Sequence, residues 1–551
     1  MPVINFDYRD LIELVGTDIP MDELLDRIPM MGADLHDHDE STGEIAMEFF
    51  PSRPDLFSVE GIARALRAFN GVETGLKRFP VEDSGMVLYR DDSVDEVRPY
   101  VVGGVVRNVV MTDELIKSLM EVQEKLHLTM GRKRAKVSIG IHDLDRVEAP
   151  FTYRAVRPDE ISFVPLAKEE EMNLSEILER HEKGVDYAFI LEGKDLYPVI
   201  QDRNGEVLSF PPIINGRLTT VTEETENLFI DVTGTDLKAI TGALNIVATS
   251  IAERGGRIES IVVKGNGEMI TPDLEPREWG LDPNFCREFL GIDLSEEDMI
   301  EALGRMGYDA SIENGIIEVK APATRLDLLH PVDLAEDVAI GHGYENFGSS
   351  LPEVQTFGSL RPIDRASDQL KQLMVGYGYM ELTTLILSNP QEQFLGMGLP
   401  PKEVVEIQNP LGEEHTCMRW HLLPSIFEVI RKNKHRDLPQ RVFEVGDVMV
   451  DLRRVKHLAG VSIHSRANFT EMKSAVESLF RDISVDNELR PLSSGMYIDG
   501  RAASIIVDGE DVGHFGEVSP KVLSGMDLGY PAGAFEIDLE RTLSSRLGRI
   551  F

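Results

Sequence analysis

The sequence predicts an α+β fold divided among several domains, and three observations carry that reading. The chain has 551 residues, beyond the roughly 250–300 at which single hydrophobic cores stop growing and chains divide. Between Tyr100 and Ala252, β-type runs such as Val101 to Val110, Lys136 to Ile141 and Tyr197 to Ile200 are mixed with helical periods such as Asp113 to Leu126, the pattern of an α+β domain with its own core. Further on, the apolar runs Glu403 to Ile407, Gln440 to Val445, His457 to His464 and Ala534 to Leu539 are interleaved with helices. That last pattern predicts a mostly antiparallel sheet flanked by helices.

The elements follow in order. Helical patterns at Tyr8 to Val15 and Met21 to Ile28 open the chain, and Val59, Ile62, Ala63, Leu66 and Phe69 recur at helical spacing, so that segment packs a core. Residues 1–85 therefore form an N-terminal domain. The acidic, glycine-containing stretch Glu82 to Glu96 reads as a linker, and the mixed domain occupies 97–255. A β-rich stretch, Ile258 to Thr271, leads into a small helical module at 268–347. Ser295 is its expected N-cap, with Asp298 three residues on as a variant of the capping box. Gly348, Ser349, Ser350 and Pro352 mark the next boundary, and the final domain spans 355–551. No internal repeat and no low-complexity segment stands out.

Composition narrows the function classes. Hydrophobic residues at 42% and charged residues at 28% are ordinary for a folded soluble chain. No apolar run reaches the ~20 residues that span a bilayer, and the first residues lack the basic-then-apolar order of a secretory signal. A cytoplasmic, membrane-free protein is expected. Cys286 and Cys417 stand far apart without a CxxC pair, which argues against a disulfide framework and against structural zinc. The 96 acids against 56 bases give a net charge of −40, so the chain as a whole repels phosphate. Two clusters run the other way: Gly131-Arg132-Lys133-Arg134-Ala135-Lys136 and Arg431-Lys432-Asn433-Lys434-His435-Arg436. Either can contact a nucleic-acid backbone, and the second can equally close a helix at its C-terminus.

The segment from Arg325 to Asp337 is the most informative. Pro331 suits a first helical turn, which places Asp333, Glu336 and Asp337 on one helix face, with Asp327 reaching in from the preceding β-like run. Hard cations such as Mg²⁺ are held by a few carboxylates with waters or substrate groups. Acids in a first helical turn are also favoured by the macrodipole with no metal present.

With the following Val338-Ala339-Ile340-Gly341-His342-Gly343-Tyr344, this segment resembles the metal-binding module of the phenylalanyl-tRNA synthetase beta-subunit family, in its shorter archaeal and eukaryotic form. The likeness runs nearly end to end. Phe50 to Leu66 is similar to the family's N-terminal signature, Leu208 to Gly216 and Leu228 to Asp236 to its editing module, and Asn409 to Gly412 with Phe443 to Asp447 to its synthetase-like module. The resemblance implies an editing domain, a helical Mg²⁺-binding module and a catalytically silent class II synthetase-like domain. It also implies a partner alpha subunit in an α2β2 assembly that charges tRNA(Phe) with phenylalanine using ATP, and hydrolysis of mischarged tyrosyl-tRNA(Phe) by this chain.

Carried over by resemblance, the editing pocket comprises Ser209, Asn215, Asp231 and Thr233, and the Mg²⁺ ligands are Asp327, Asp333, Glu336 and Asp337. A carboxylate at Asp231 can accept a hydrogen bond from tyrosine's hydroxyl, which phenylalanine cannot offer. An apolar pocket alone rejects a hydroxylated analogue by only ~10²-fold, so hydrolysis is a sensible supplement. His142 is a possible base or a packing residue; Asn215-Gly216 is also a common turn signal, and Asp231 could cap a nearby helix. In the final domain the chain departs from an active class II site. Met418-Arg419-Trp420-His421 has His421 where an acid is expected, and Gly533 to Arg541 lacks the Gly-x-Gly-x-x-x-Arg start that seats a nucleotide. Arg419 then reads as a buried, ion-paired arginine. Two other readings compete: a stand-alone editing hydrolase and a non-enzymatic tRNA-binding or assembly scaffold.

Overall fold

The computed structural model describes residues 2–265, 267–352 and 356–544. It divides into two compact units, Met1–Leu351 and Pro352–Phe551. The α+β class holds, with several separate sheets.

The first unit begins with strand Val3–Asp7, helices Tyr8–Val15 and Met21–Met30, strands Ala33–Asp39 and Glu44–Phe49, a turn at Pro54–Leu56 and helix Val59–Phe69. Strand Glu44–Phe49 lies in the middle of its three-stranded sheet and turns Ile45, Met47 and Phe49 inward. Ser58 caps the last helix by accepting from Gly61 N at 3.1 Å. The stripe read from the sequence, Val59, Ile62, Ala63, Leu66 and Phe69, is buried throughout. Gly61 is required by close approach, since a Cβ there would lie 1.9 Å from the Asp55 carbonyl oxygen.

A ten-stranded sheet follows, and it corrects the expected linker. Val81–Arg90 is a strand paired in parallel with both Arg257–Gly265 and Phe151–Val156. Its acidic, polar look reflects partial exposure and not absence of structure. The stretch after Ala252 likewise belongs to this sheet, through Arg257–Gly265 and Gly267–Thr271. Neither parallel pairing connects neighbours in the chain, so neither was visible as a hairpin. The long helix Leu237–Glu253, capped by Asp236, packs its apolar face on the sheet. Beside its end, Glu253 is gripped by Arg64 (3.3 Å), Arg67 (2.6 Å) and Lys77 (3.0 Å), and Arg254 by Asp10 (2.7 Å) and Glu60 (2.6 Å). These pairs tie the first module to that helix.

The module expected to be small and helical contains a three-stranded sheet as well. Its order is strand Arg277–Leu281, helices Pro283–Leu290 and Glu296–Arg305, strands Asp309–Glu313 and Ile316–Ala321, then helix Pro331–His342. The Ser295 cap forms with the predicted Asp298 capping box, and Pro331 opens its helix. This is the element order of the first module, and both sheets place their last strand between the other two. The expectation of no internal repeat is therefore corrected. The likeness extends to a turn in each copy: Arg53 grips Asp55 with Nε and Nη2 at 2.9 and 2.8 Å, and Arg325 grips Asp327 at 2.9 and 2.7 Å. In both, the helix cap, Ser58 or His330, follows three residues after the aspartate.

The second unit is built on a seven-stranded sheet, antiparallel except where Met380–Glu381 pairs in parallel with Gln440–Val450. Helices Pro362–Gly376 and Phe469–Asp482 cover one apolar face and Leu423–Lys432 the other. The expected strand at Glu403 to Ile407 is reduced to one bridge, Glu406 to Cys417. Of the predicted final domain, residues 355 and 545–551 lie outside the described residues.

Candidate functional site

Strand Leu228–Gly234 is buried along its whole length between Tyr100–Arg107 and Val137–Asp143. Its alternation sends Leu228, Ile230 and Val232 into the core under the long helix, and Phe229, Asp231 and Thr233 to the other face. Opposite Asp231 stand two glycines, Gly103 and Gly140. A Cβ at Gly140 would lie 2.2 Å from Asp231 Oδ2 and 2.7 Å from His142 Nε2, so only glycine leaves room for that pair to meet.

They meet closely. His142 Nε2 is 2.7 Å from Asp231 Oδ2, its Nδ1 is 2.8 Å from Thr219 Oγ1, and Ser209 Oγ donates to Asp231 Oδ2 at 3.5 Å. A neutral imidazole satisfies this network with Nε2–H donating to the carboxylate and Nδ1 accepting from the Thr219 hydroxyl. His142 and Asp231 are 0% and 1% exposed, so the network lies beneath the surface. Asn215 pairs with Ser209 across two strands, is half-buried, and donates to Ile141 O at 3.4 Å. Ser209, Asp231 and Asn215 are thus brought together, and Asp231 caps no helix.

Thr233 is on the same face but is held separately. Arg98 donates from Nε to Thr233 Oγ1 at 2.8 Å and from Nη2 to the Thr233 carbonyl at 2.7 Å, while Tyr153 donates its hydroxyl to Arg98 O at 2.8 Å. Burial draws the Arg98 pKa down to about 10 and raises that of Tyr153. Arg98 and Thr219 were missed by the sequence reading. Arg98 sits just past the supposed linker, and Thr219 in a short turn with no motif of its own.

The first basic cluster divides. Arg132 and Lys133 are exposed, whereas Arg134 turns inward over the Tyr187 ring (4.4 Å) and donates to Ile213 O at 2.8 Å. Arg134 therefore braces the Pro211-Pro212-Ile213 turn behind Ser209. In the second cluster Lys432 pairs with Glu428 at 2.7 Å and Lys434 with Asp527.

The four acids are placed differently from one another. Asp337 is buried and accepts from Tyr308 Oη and from Arg325 Nη2 (2.7 Å); Asp327 accepts from Arg325 Nε (2.9 Å) and from the same Nη2 (2.7 Å). Asp333 receives the backbone N–H groups of Leu329 (2.7 Å) and His330 (2.8 Å), closing its helix as a cap, and Glu336 is exposed. A guanidinium stands between Asp327 and Asp337. Among the described residues, no group of three or more His, Cys, Asp or Glu side chains is gathered as a metal site requires.

In the second unit Arg419 is buried and fully engaged: Nη2 with Glu444 at 2.8 Å, Nε with Asp447 O at 2.8 Å and Nη1 with Thr384 Oγ1 at 2.7 Å. His421 faces Glu536 at 3.7 Å, which also takes His457 Nδ1 at 2.8 Å.

Sequence comparison decides the family. The chain is 47% identical over 543 residues to the phenylalanine–tRNA ligase beta subunit of Archaeoglobus fulgidus, covering 98% of each chain. It is 41% identical over 551 residues to that of Methanocaldococcus jannaschii, covering 98% of this chain and 100% of the other. The chain belongs to the phenylalanine–tRNA ligase beta-subunit family. As a beta subunit of this family it is a ligase component that works within a hetero-oligomer. Three family models match in order: the B3/4 domain over residues 109–257, the tRNA synthetase B5 domain over 280–344 and the phenylalanyl tRNA synthetase beta chain CLM domain over 348–539. The hydrogen-bond network around Asp231 falls in the first and the four acids in the second. A crystal structure of an N-terminal fragment of the phenylalanyl-tRNA synthetase beta subunit from Pyrococcus horikoshii is similar, at TM-score 0.60 and 37% identity, covering 62% of this chain and 99% of that one.

Proposed function

We propose that this beta subunit joins an alpha subunit in an α2β2 assembly, supports ATP-dependent charging of tRNA(Phe) with phenylalanine there, and removes tyrosine from mischarged tRNA(Phe) in the Asp231 pocket. The observation that carries the editing reading is the buried chain Ser209–Asp231–His142–Thr219 facing two glycines. A carboxylate held there by an imidazole can accept one more hydrogen bond, from a phenol; phenylalanine offers none and leaves the acceptor unpaired. Asn215 stands at the rim, where a ribose or ester oxygen can be met, and Thr233 with Arg98 fixes the strand. Exposed Arg132 and Lys133 suit contact with the tRNA backbone.

Activation of phenylalanine belongs to the alpha subunit in this reading. Arg419 is buried and held by Glu444, Asp447 and Thr384, so it is fixed within the fold and not presented to a nucleotide. The residues present do not fit a resident Mg²⁺ in the isolated chain, because Arg325 already neutralises Asp327 and Asp337 and Asp333 is a helix cap. No step is routed through that ion.

The test is single-turnover deacylation of tyrosyl-tRNA(Phe) by the assembly and by the chain alone. Hydrolysis by the assembly that Asp231→Ala slows by roughly 10- to 150-fold supports the reading. Full hydrolysis by the chain alone favours a stand-alone hydrolase, and none by either favours a scaffold.

A further inference from the structure

The ten-stranded sheet ends in strand Ile214–Asn215 on one side and strand Val137–Asp143 on the other. Its two ends nevertheless meet, because side chains cross from one to the other. Arg134 Nη1 donates to Ile213 O at 2.8 Å, Asn215 Nδ2 to Ile141 O at 3.4 Å and Ser209 Oγ to Asp231 Oδ2 at 3.5 Å, while Thr219 Oγ1 lies 2.8 Å from His142 Nδ1. Among the described residues no backbone hydrogen bond joins the two edge strands. A closed barrel bonds its edges along the backbone; this seam is held at points. The Arg134 and Thr219 contacts are firm, whereas those of Ser209 and Asn215 stand at the outer limit of hydrogen bonding and cannot fix the gap by themselves.

We propose that Arg134 is a positioning residue for removal of the mischarged amino acid: it fixes the Pro211-Pro212-Ile213 turn and so sets Ser209 and Asn215 against Asp231. The proposal rests on the editing reading above. The hairpin that carries Ser209 and Asn215 has little backbone pairing of its own. Its strands pair at Ser209 with Asn215 and at Phe210 with Ile214, with Gly216 N donating to Leu208 O at 2.7 Å beyond them. Pro211 and Pro212 have no N–H to give, so within the turn the backbone supplies the bond from Ile213 N to Phe210 O at 2.8 Å. The Pro212 and Ile213 carbonyls are met by Arg134 Nη1, at 3.4 and 2.8 Å, and by no other side chain among the described residues. Such a charged donor makes roughly twice the bond of a neutral one. The guanidinium is itself anchored, with Cζ 4.4 Å from the Tyr187 ring centroid and Nη2 3.6 Å from Glu124 Oε2. The backbone is bent to aim it: Arg132, Lys133 and Arg134 take φ of 49°, 54° and 67°, a left-handed turn that chirality disfavours at each residue with a side chain. Strain of this kind persists only where its surroundings over-determine it, and here Tyr187 and the turn carbonyls do so.

The test is single-turnover deacylation of tyrosyl-tRNA(Phe) over a range of concentrations of the α2β2 assembly, which separates the maximal rate from the half-saturating concentration. Phenylalanine charging and the melting temperature are measured alongside. Arg134→Met removes the donors and keeps an apolar stem against Tyr187, and Arg134→Lys keeps a cationic donor. Arg134→Met is expected to lower the maximal rate by roughly 10²-fold, the scale set by a misplacement of about 1 Å, with half-saturation and charging unchanged, and Arg134→Lys to recover part of the loss. An unchanged maximal rate in Arg134→Met, a rise in the half-saturating concentration alone, a rate no higher in Arg134→Lys than in Arg134→Met, or a fall of deacylation, charging and melting temperature together in both variants overturns the proposal while the editing reading stands. Absence of deacylation by the unaltered assembly overturns the editing reading itself, and this proposal with it.

Discussion

Replacing Asp231 separates recognition from support, because the same carboxylate oxygen holds His142 at 2.7 Å and Ser209 at 3.5 Å. In Asp231→Ala the buried imidazole N–H loses its acceptor, and a buried donor left unsatisfied costs about 1–3 kcal/mol of local stability. In Asp231→Asn the amide oxygen still accepts from His142, so the cost falls to about 1 kcal/mol, the charge-assisted part of one hydrogen bond. The phenol of a mischarged tyrosine would lose a bond to a charged group, worth about 1.5–3 kcal/mol, or roughly 10- to 150-fold in tyrosine-over-phenylalanine discrimination. The assay is deacylation of tyrosyl- and phenylalanyl-tRNA(Phe) by the α2β2 assembly, alongside phenylalanine charging. Asp231→Ala is expected to lose discrimination by that factor with charging unchanged, and Asp231→Asn to fall between it and the unaltered chain. Parallel loss of deacylation and charging in both variants would refute the reasoning, because it would show that Asp231 only holds the sheet together.

Gly140→Ala puts a methyl 2.2 Å from Asp231 Oδ2, so it should match Asp231→Ala in deacylation while costing about 1–3 kcal/mol through overpacking; wild-type discrimination in this variant would mean the His142–Asp231 pair is not needed. His127 is buried, accepts from Ile139 N at 2.8 Å through Nε2, and has its pKa lowered to about 4 mainly by burial. Its unfolded value is about 6.5. The neutral ring therefore contributes its stability fully above about pH 6.5 and loses it as the pH falls towards 4, about 3 kcal/mol in all. Denaturant midpoints measured across that window should show less acid lability in His127→Gln than in the unaltered chain, and equal slopes would count against the assignment. With Arg325 already between Asp327 and Asp337, EDTA should leave the melting temperature of the isolated chain unchanged. A drop on EDTA that Mg²⁺ restores, and that is absent in Asp333→Ala with Glu336→Ala, would show that these acids regroup around a cation.

How far the site could be read from the sequence depends on what each feature requires of its neighbours. The helix Val59–Phe69, the Ser295 capping box and the Pro331 helix start are local, and their residues announced them. So were Ser209, Asn215 and Asp231 as members of short, distinctive segments. The role of His142 was not local. Its partner Asp231 lies on the adjoining strand, brought level by a register that pairs Asp231 with Gly140, and sequence spacing does not encode register between distant strands. The same holds for the strand Val81–Arg90, whose two parallel partners lie far along the chain.

The internal repeat was hidden for a different reason. Its two copies share topology and one turn, while Ser58 and His330 cap the following helices with different chemistry and the next positions diverge into Gly61 and Asp333. What survives in both is the Arg-x-Asp pair, because a bidentate guanidinium–carboxylate contact fixes the approach of the last helix in a way that neither residue does alone. In the acid-rich copy this pair changes the arithmetic of the site. Four carboxylates counted from the sequence invite a divalent cation to offset their repulsion, whereas the fold supplies a guanidinium between two of them and gives a third to the helix cap. Charge counting along a chain omits the counter-charge that folding brings in from two residues away, and Arg325 was in view beside Asp327 all along.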